Sequence, residues 1–276
     1  MGQQTTLLID GHVHLYPVYN LTEAILQSRK NLMANAQKKK VEVTQAMPVW
    51  LLVERSDSNF FEALATTPEK FSKNDVTFVS MKDGLTVKVQ QDDKPILFLF
   101  AGRQLVTKEN LEALSLISIF NLPDRQKPLA EVLQLIEKHQ GMAALNWAPG
   151  KWFGKRGKII EEQLGKNELK KLFISETTMR PTVWAKPKLI KKAEQRGFRL
   201  MFGSDPLPFC GEEKEIGGLG FVVEGEFDAA QPALSVKNIL ANESKSFIQI
   251  GRRNNFFKFA KRQYKIMAEK KTRKSS

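Results

Sequence analysis

Cysteine and histidine are scarce in this sequence, and each shortage limits what the protein can do. Cys210 is the only cysteine among 276 residues, so no disulfide can form within the chain. Chains without disulfides are typical of reducing compartments. The first residues lack the basic and apolar regions of a secretory signal, and no apolar run is long enough to span a membrane. We therefore expect a cytoplasmic protein.

The sequence also lacks the glycine patterns that cradle nucleotide phosphates. No Gly-x-Gly-x-x-Gly follows the first apolar run, and no P-loop occurs anywhere. Both absences argue against the open, doubly wound sheets that bind nucleotides.

Acidic residues are outnumbered by basic ones. The chain has 43 Lys and Arg against 30 Asp and Glu, which gives a formal net charge of +13. Such an excess favours anionic partners, including phosphate groups, nucleic acid and membrane surfaces. We expect an anionic small-molecule substrate, and the charge alone leaves the other two partners open.

Apolar runs of strand length alternate with helical patterns along residues 1–251. The clearest predicted strands are residues 7–9, 47–53, 95–101 and 114–120, and the clearest predicted helices are 21–40 and 128–140. Alternation of this kind predicts an α/β fold with a parallel sheet. At this length we expect a (β/α) TIM-like barrel with seven or eight parallel strands, in preference to an open sheet.

One segment breaks the alternation of strands and helices. Residues 75–81 and 85–89 alternate apolar and polar side chains on either side of Asp83 and Gly84. An Asp-Gly pair between alternating runs is a strong hairpin signal. We predict a β-hairpin inserted into the barrel.

Residues 252–276 differ from the rest in composition and read as a basic amphipathic helix and tail. Apolar side chains that can share one helical face are Phe256, Phe257, Ala260, Tyr264 and Met267. This face either packs on the barrel or carries the helix to nucleic acid, an anionic membrane or a partner.

Two of the three histidines stand together at the end of the first predicted strand. His12 and His14 are two residues apart, so in extended backbone their rings point to the same side. Two imidazoles on one side of a strand end can supply two ligands of a metal site. The alternative is one histidine in the core or in a cap, with the other facing solvent.

In a parallel barrel, functional groups collect at the carboxyl ends of the strands. The polar residues at the predicted strand ends are His12, His14, Glu54, Arg103, Asn121, Asn146, Glu176 and Asp205. Two histidines with one or two carboxylates suit Zn²⁺, Mn²⁺ or Fe²⁺. The residues alone predict a divalent metal held by His12, His14 and one or two of the carboxylates Glu54, Glu176 and Asp205.

Three further residues at this end are predicted to bind the substrate. They are Arg103, Asn146 and Lys151, the last in a glycine-rich loop that carries two tryptophans. The alternative for this loop is an exposed segment that the tryptophans anchor.

Two motifs support a more specific interpretation. The segment Ile-Asp-Gly-His-Val-His-Leu at residues 9–15 resembles the opening of metal-dependent hydrolases of the amidohydrolase and PHP (polymerase and histidinol phosphatase) type. Phe-Gly-Ser-Asp-Pro at residues 202–206 resembles the Gly-Ser-Asp that closes their sites. The resemblance implies that His12 and His14 bind metal. It also implies that Asp205 binds metal or handles the proton of metal-activated water. With Glu176 as a further carboxylate, we predict a divalent metal held by His12, His14, Asp205 and Glu176.

The ligand set is reduced relative to those families. A proline and a leucine follow Asp205 where a further histidine is usual, and the middle strands end in Asn121, Asn146 and Glu176 in place of histidines. The resemblance predicts a hydrolase acting on a phosphoester or amide-type bond. The alternatives are a non-catalytic binding or regulatory protein with a vestigial metal site, or a protein that associates with nucleic acid or membrane through residues 252–276.

Overall fold

The structure is a computed structural model that describes residues 2–73, 75–166 and 171–275, with side chains described as far as residue 269. The strands are β1 (Gln3–Val13), β2 (Met47–Leu52), β3 (Glu54–Arg55), β4 (Val76–Ser80), β5 (Thr86–Gln91), β6 (Lys94–Phe100), β7 (Gly102–Val106), β8 (Glu112–Leu116), β9 (Met142–Asn146), β10 (Phe173–Thr177), β11 (Leu200–Gly203), β12 (Leu219–Phe227) and β13 (Ile248–Gly251). The helices are α1 (Leu21–Gln37), α2 (Phe60–Thr66), α3 (Leu129–Lys138), α4 (Gly154–Gly165), α5 (Lys188–Gln195), α6 (Pro232–Ala241) and α7 (Phe256–Ser275), with 3-10 turns at Pro68–Lys70 and Glu212–Glu215.

The strands form two sheets in the described part of the chain. The first has the order β13-β12-β1-β2-β6-β5-β4 and the second β11-β10-β9-β8-β7-β3. Strands β1, β2 and β6 are parallel neighbours, and so are β9, β10 and β11. A mixed α/β fold with parallel strands, as the alternating pattern predicts, is therefore confirmed.

The apolar run of β1 is explained by its central position. Leu7, Leu8 and Ile9 are all fully buried, because β1 lies between β2 and β12 and both of its faces are covered. Leu7 and Ile9 belong to the main core, while Leu8 packs with Leu32 of α1 on the opposite face. A strand buried on both faces has no polar side to alternate with.

The two sheets approach each other at the end of β1. The backbone N–H of Asp205, just after β11, donates to the carbonyl of His12 at 2.9 Å. A Cβ added to Gly203 would lie 2.4 Å from both the backbone nitrogen and the Cβ of His12. This seam therefore requires glycine at position 203. The chain also passes directly from the first sheet to the second at two points. Only Val53 separates β2 from β3, and only Ala101 separates β6 from β7.

The predicted hairpin is confirmed, and two other strands differ from the prediction. Strands β4 and β5 pair antiparallel around Gly84 and extend the edge of the sheet beside β6. The strand expected at 114–120 is β8, which pairs antiparallel with both β7 and β9. Only residues 107–111 link β7 to β8, which is too short for the crossover that a parallel pair needs.

The prediction of seven or eight parallel strands is therefore wrong in the direction of two strands. Strand β8 is antiparallel to β9, and β12 is antiparallel to β1. The strand pairings among the described residues do not join the two sheets into one closed sheet. No helix in this part of the chain is both long enough and apolar enough to cross a membrane.

The seam between β1 and β11 can be tested with Gly203→Ala. The new methyl group would collide with the backbone of His12, so the variant should lose about 1–3 kcal/mol of unfolding free energy, the usual cost of overpacking. Thermal denaturation followed by circular dichroism measures the loss. The control is Gly165→Ala at the end of α4, where the nearest atom to the added carbon is 3.7 Å away. A Gly203→Ala protein as stable as the control would contradict the seam.

Candidate metal centre

His12 and His14 lie where β1 ends, and a nitrogen of each ring points toward the other ring. Their Nε2 atoms are 3.2 Å apart, and both residues are buried. The Nδ1 atom of His12 is 3.3 Å from the hydroxyl of Ser175 on β10, which orients the ring from behind. The two-residue spacing thus has the consequence expected of extended backbone.

Asp205 reaches the same point from the far end of the chain. Its backbone is left-handed, with φ 51°, a conformation that aspartate tolerates better than most residues. Its Oδ1 atom lies 3.6 Å from His12 Nε2 and 3.7 Å from His14 Nε2. Its Oδ2 atom accepts a hydrogen bond from the Thr177 hydroxyl at 3.1 Å. Only Oδ1 therefore faces the imidazoles.

Among the described residues, His12, His14 and Asp205 form a group whose ligand atoms all lie within 4.8 Å of one another. This spacing can be compared with what a metal requires. Two nitrogens that bind a tetrahedral metal at ~2.0 Å are separated by roughly 3.3 Å. The observed 3.2 Å between the two Nε2 atoms fits such an ion.

The electrostatic surroundings keep the imidazoles neutral. Burial lowers the pKa of His12, and burial together with the neighbouring His12 lowers the pKa of His14 to about 3. For Asp205, burial opposes the charged form. The imidazoles and Arg262 outweigh that effect, so its pKa is lower than usual. Neutral imidazole and ionised carboxylate are the protonation states that bind a metal.

Asp10 positions both arms of this group, although sequence reasoning gave it no role. Its Oδ1 accepts from the backbone N–H groups of His12 at 3.2 Å and Ser204 at 2.9 Å. Its Oδ2 accepts from the N–H of Gly217 at 2.8 Å. Burial raises the pKa of this carboxyl to about 6, against the effect of these hydrogen bonds. Asp10 thereby connects the histidine segment to the aspartate segment.

The structure does not bring Glu176 into the group. Its carboxylate is buried and forms an ion pair with Arg180, and Arg253 Nε lies 3.6 Å from the same oxygen. Two guanidinium groups thus face the side chain that was expected to be a fourth ligand. Its place as a ligand stays a prediction that the geometry does not support.

Arg103 is also committed to protein partners. It forms an ion pair with Glu54 at 3.3 Å and donates to the carbonyl of Ser58 and to Asn59 Oδ1. These contacts hold the segment before α2 against β7. A role in binding substrate remains a prediction for Arg103.

Asn146 and Lys151 meet at a carboxylate that sequence reasoning missed. Glu112 accepts from Asn146 Nδ2 at 2.9 Å and from Lys151 Nζ at 2.5 Å. It also accepts from Gln104 at 3.4 Å, and Gln104 interacts in turn with His14. Because β8 is antiparallel, its first residue lies at the same edge as the carboxyl ends of the parallel strands. The short link between β7 and β8 is the sequence feature that could have predicted this strand direction, and with it the position of Glu112.

A cavity of about 510 Å³ opens beside His14. Its lining includes apolar side chains from the segment after β1 and from α2, together with Glu54 and Arg55. Arg55 is partly exposed and pairs with Asp57 at 2.8 Å. The cavity gives a small molecule access to one side of the histidine pair.

The C-terminal helix α7 contributes one buried side chain to the edge of the site. Arg262 donates to the carbonyl of Asp205 and to the Thr178 hydroxyl, both at 2.6 Å, and pairs with Glu212 at 2.9 Å. Thr178 in turn donates to the carbonyl of Ser204 at 2.7 Å. Arg262 thus supports the backbone that carries Asp205.

Comparisons with known proteins concern the fold. No protein-family model and no curated protein matches the sequence. Among solved structures, the chain is similar to PsfC from Pseudomonas syringae PB-5123, with a TM-score of 0.53 and 12% identity over 89% of this chain and 91% of that chain. This likeness concerns the fold alone.

A second solved structure is less similar. It is a two-domain protein from Bacteroides vulgatus containing a predicted PHP-like metal-dependent phosphoesterase, with a TM-score of 0.45 and 12% identity over 88% of this chain and 64% of that chain. At this TM-score it supports neither the fold nor an activity.

Arg262→Gln tests whether α7 supports the site. The substitution leaves the carboxylate of Glu212 without its cationic partner, so we expect a loss of about 3 kcal/mol in unfolding free energy. Lys261→Gln is the control, because this neighbouring side chain is exposed. Chemical denaturation of both variants measures the difference. Equal stability of the two would show that the buried contacts of Arg262 do not hold the helix.

Proposed function

We propose that the chain is a metal-dependent hydrolase of the amidohydrolase or PHP type, with a reduced ligand set of His12, His14 and Asp205. The observation that carries the proposal is the convergence of these three side chains within 4.8 Å. A bound Zn²⁺, Mn²⁺ or Fe²⁺ would lower the pKa of water toward neutrality and polarise the bond under attack. The fold likeness to PsfC is compatible with this proposal and does not specify it.

Each residue of the group has a defined contribution. The histidines are neutral, the Nδ1 atom of His12 contacts Ser175, and the Nε2 atoms of both rings converge on one point, where a metal could bind. Asp205 Oδ1 faces both rings while Thr177 holds Oδ2. Asp205 can therefore serve as the third ligand or accept a proton from the water at Oδ1.

The expected substrate is an anionic small molecule with a phosphoester or amide-type bond. The excess of basic residues supports an anion, and Arg55 lines the cavity beside His14. Lys151 is a second basic residue at the edge of the sheets where the parallel strands end, and there it forms an ion pair with Glu112. The resemblance also implies a closed barrel, and the contact between the ends of β1 and β11 supports this arrangement.

Metal binding can be tested with the double variant His12→Ala/His14→Ala. Removing two of three ligands should abolish retention of a divalent metal, which elemental analysis of the purified protein measures. His139→Ala provides the matched control, because His139 is the remaining histidine and stacks on Phe120 at the end of α3. This control should retain metal as wild type does.

Metal content and hydrolytic activity together separate the hydrolase proposal from its alternative. Stoichiometric metal in a folded double variant would contradict the assigned ligands. Wild-type protein that binds metal but hydrolyses neither chromogenic phosphoesters nor amides would instead favour a binding or regulatory protein with a vestigial site.

Asp205→Asn tests the carboxylate without changing its shape. Asparagine tolerates the left-handed backbone and can keep the hydrogen bond to Thr177, but it cannot accept a proton. We expect near-normal melting, with metal lost or hydrolysis reduced by about a hundredfold, the usual scale for removing a general base. A variant that keeps its metal and activity and loses only stability would make Asp205 a structural residue.

A further inference from the structure

The C-terminal helix α7 has two faces that could be buried, and the fold covers only one of them. Phe259 and Arg262 point toward the protein and are buried. The side chains of Phe257, Tyr264 and Met267 are 82%, 71% and 62% exposed. Residues three and four apart share a helical face, so Phe257, Ala260, Tyr264 and Met267 form one uncovered apolar stripe. Phe256, half exposed, lies at its edge.

Further exposed apolar side chains lie on loops next to α7. The Trp184 ring lies 5.3 Å from the Phe259 ring of α7 and is itself 41% exposed. Phe153 and Val183, each about two-thirds exposed, line the same groove of about 600 Å³ as Trp184. Most of the large apolar side chains that are exposed in the described structure therefore lie on α7 or on the loops carrying Phe153 and Trp184. Contiguous apolar patches of this kind mark interaction surfaces.

Basic residues border the apolar face. Lys261 is exposed beside the stripe, and Lys188 is exposed and lines the groove. Further along α7, the sequence Lys-Lys-Thr-Arg-Lys occupies residues 270–274. An apolar helical stripe bordered by lysines and containing aromatic residues is typical of helices that lie in the interface of an anionic membrane.

We propose that this face, formed by the outer side of α7 and the loops carrying Phe153 and Trp184, binds an anionic phospholipid surface. The apolar side chains enter the boundary between headgroups and acyl chains, and the lysines contact lipid phosphates and carboxylates. The proposal is independent of the hydrolase function. It uses the helix face that the core does not need.

Two other occupants fit the face less well. A second copy of this chain would bring together two lysine-bordered surfaces of molecules that each carry a net charge of +13, and their repulsion opposes pairing. Nucleic acid would satisfy the lysines through its phosphates but would leave Phe257 and Met267 without apolar partners. A bilayer accommodates the charge and the apolar stripe together.

The decisive experiment compares binding of the full chain to two kinds of vesicle by co-sedimentation. One kind is pure phosphatidylcholine, and the other is an equimolar mixture of phosphatidylcholine and phosphatidylserine. We expect binding to the anionic vesicles that is at least about tenfold tighter than to the neutral ones, because several lysines contribute. No binding to anionic vesicles would overturn the proposal.

The stripe is tested with the triple variant Phe257→Ser/Tyr264→Ser/Met267→Ser. These side chains are exposed, so the variant should melt as wild type does, while its affinity for anionic vesicles falls on the order of tenfold or more. Leu234→Ser is the matched control. Leu234 is also a half-exposed apolar residue, but it lies on α6, which packs near Gly225 opposite the first half of β1, away from α7. The control should bind vesicles as wild type does.

A charge variant keeps the test valid if the triple variant folds poorly. Lys261→Glu should weaken binding to the anionic vesicles severalfold and leave binding to neutral vesicles unchanged. Unchanged binding in both the triple and the charge variants would overturn the proposal. So would a self-association of the wild type, seen by sedimentation velocity, that the triple variant abolishes. RNA binding without vesicle binding would likewise reject a lipid surface.

Discussion

The three hydrogen bonds that the Asp10 carboxylate accepts are the constraint on which the candidate site depends. They join the backbone of His12 to Ser204 and Gly217, residues that lie about two hundred positions further along the chain. A buried carboxylate is costly unless it is fully hydrogen-bonded, and the raised pKa of Asp10 reflects that cost. The chain can therefore bury Asp10 only when the two arms of the site are already side by side.

Residues around this junction position the carboxylate of Asp205. Gly203 permits the close approach of β11 to β1, and the left-handed turn at Asp205 then directs its carboxylate at the histidines. Thr177 and Arg262 hold the carboxylate and its backbone from the other side. The side chains that could bind a metal are thus positioned by groups that do not themselves face the metal position. Such support preorganises a site before the metal binds.

The part of the site that could be predicted from sequence depended on local geometry. The spacing of His12 and His14 determines the side on which they lie, and Asp205 follows a Gly-Ser pair and precedes a proline at a strand end. Glu112 was missed because its position depends on strand direction, which follows from the short link between β7 and β8. Glu176 was assigned by its place at a strand end, while its pairing with Arg253 comes from a segment far along the chain. Periodicity carries no information about such pairings.

The C-terminal helix α7 is a second case in which periodicity predicts the element but not its contacts. Its amphipathic pattern correctly predicts a helix, yet the apolar face that the pattern defines is the one left uncovered. The buried face instead includes Arg262, a residue that is almost never fully buried without a partner. Glu212, Thr178 and the carbonyl of Asp205 supply those partners, while Phe257 and Met267 face outward. Because that orientation leaves an apolar stripe in water, it carries a cost that a second surface, bound along the stripe, would remove.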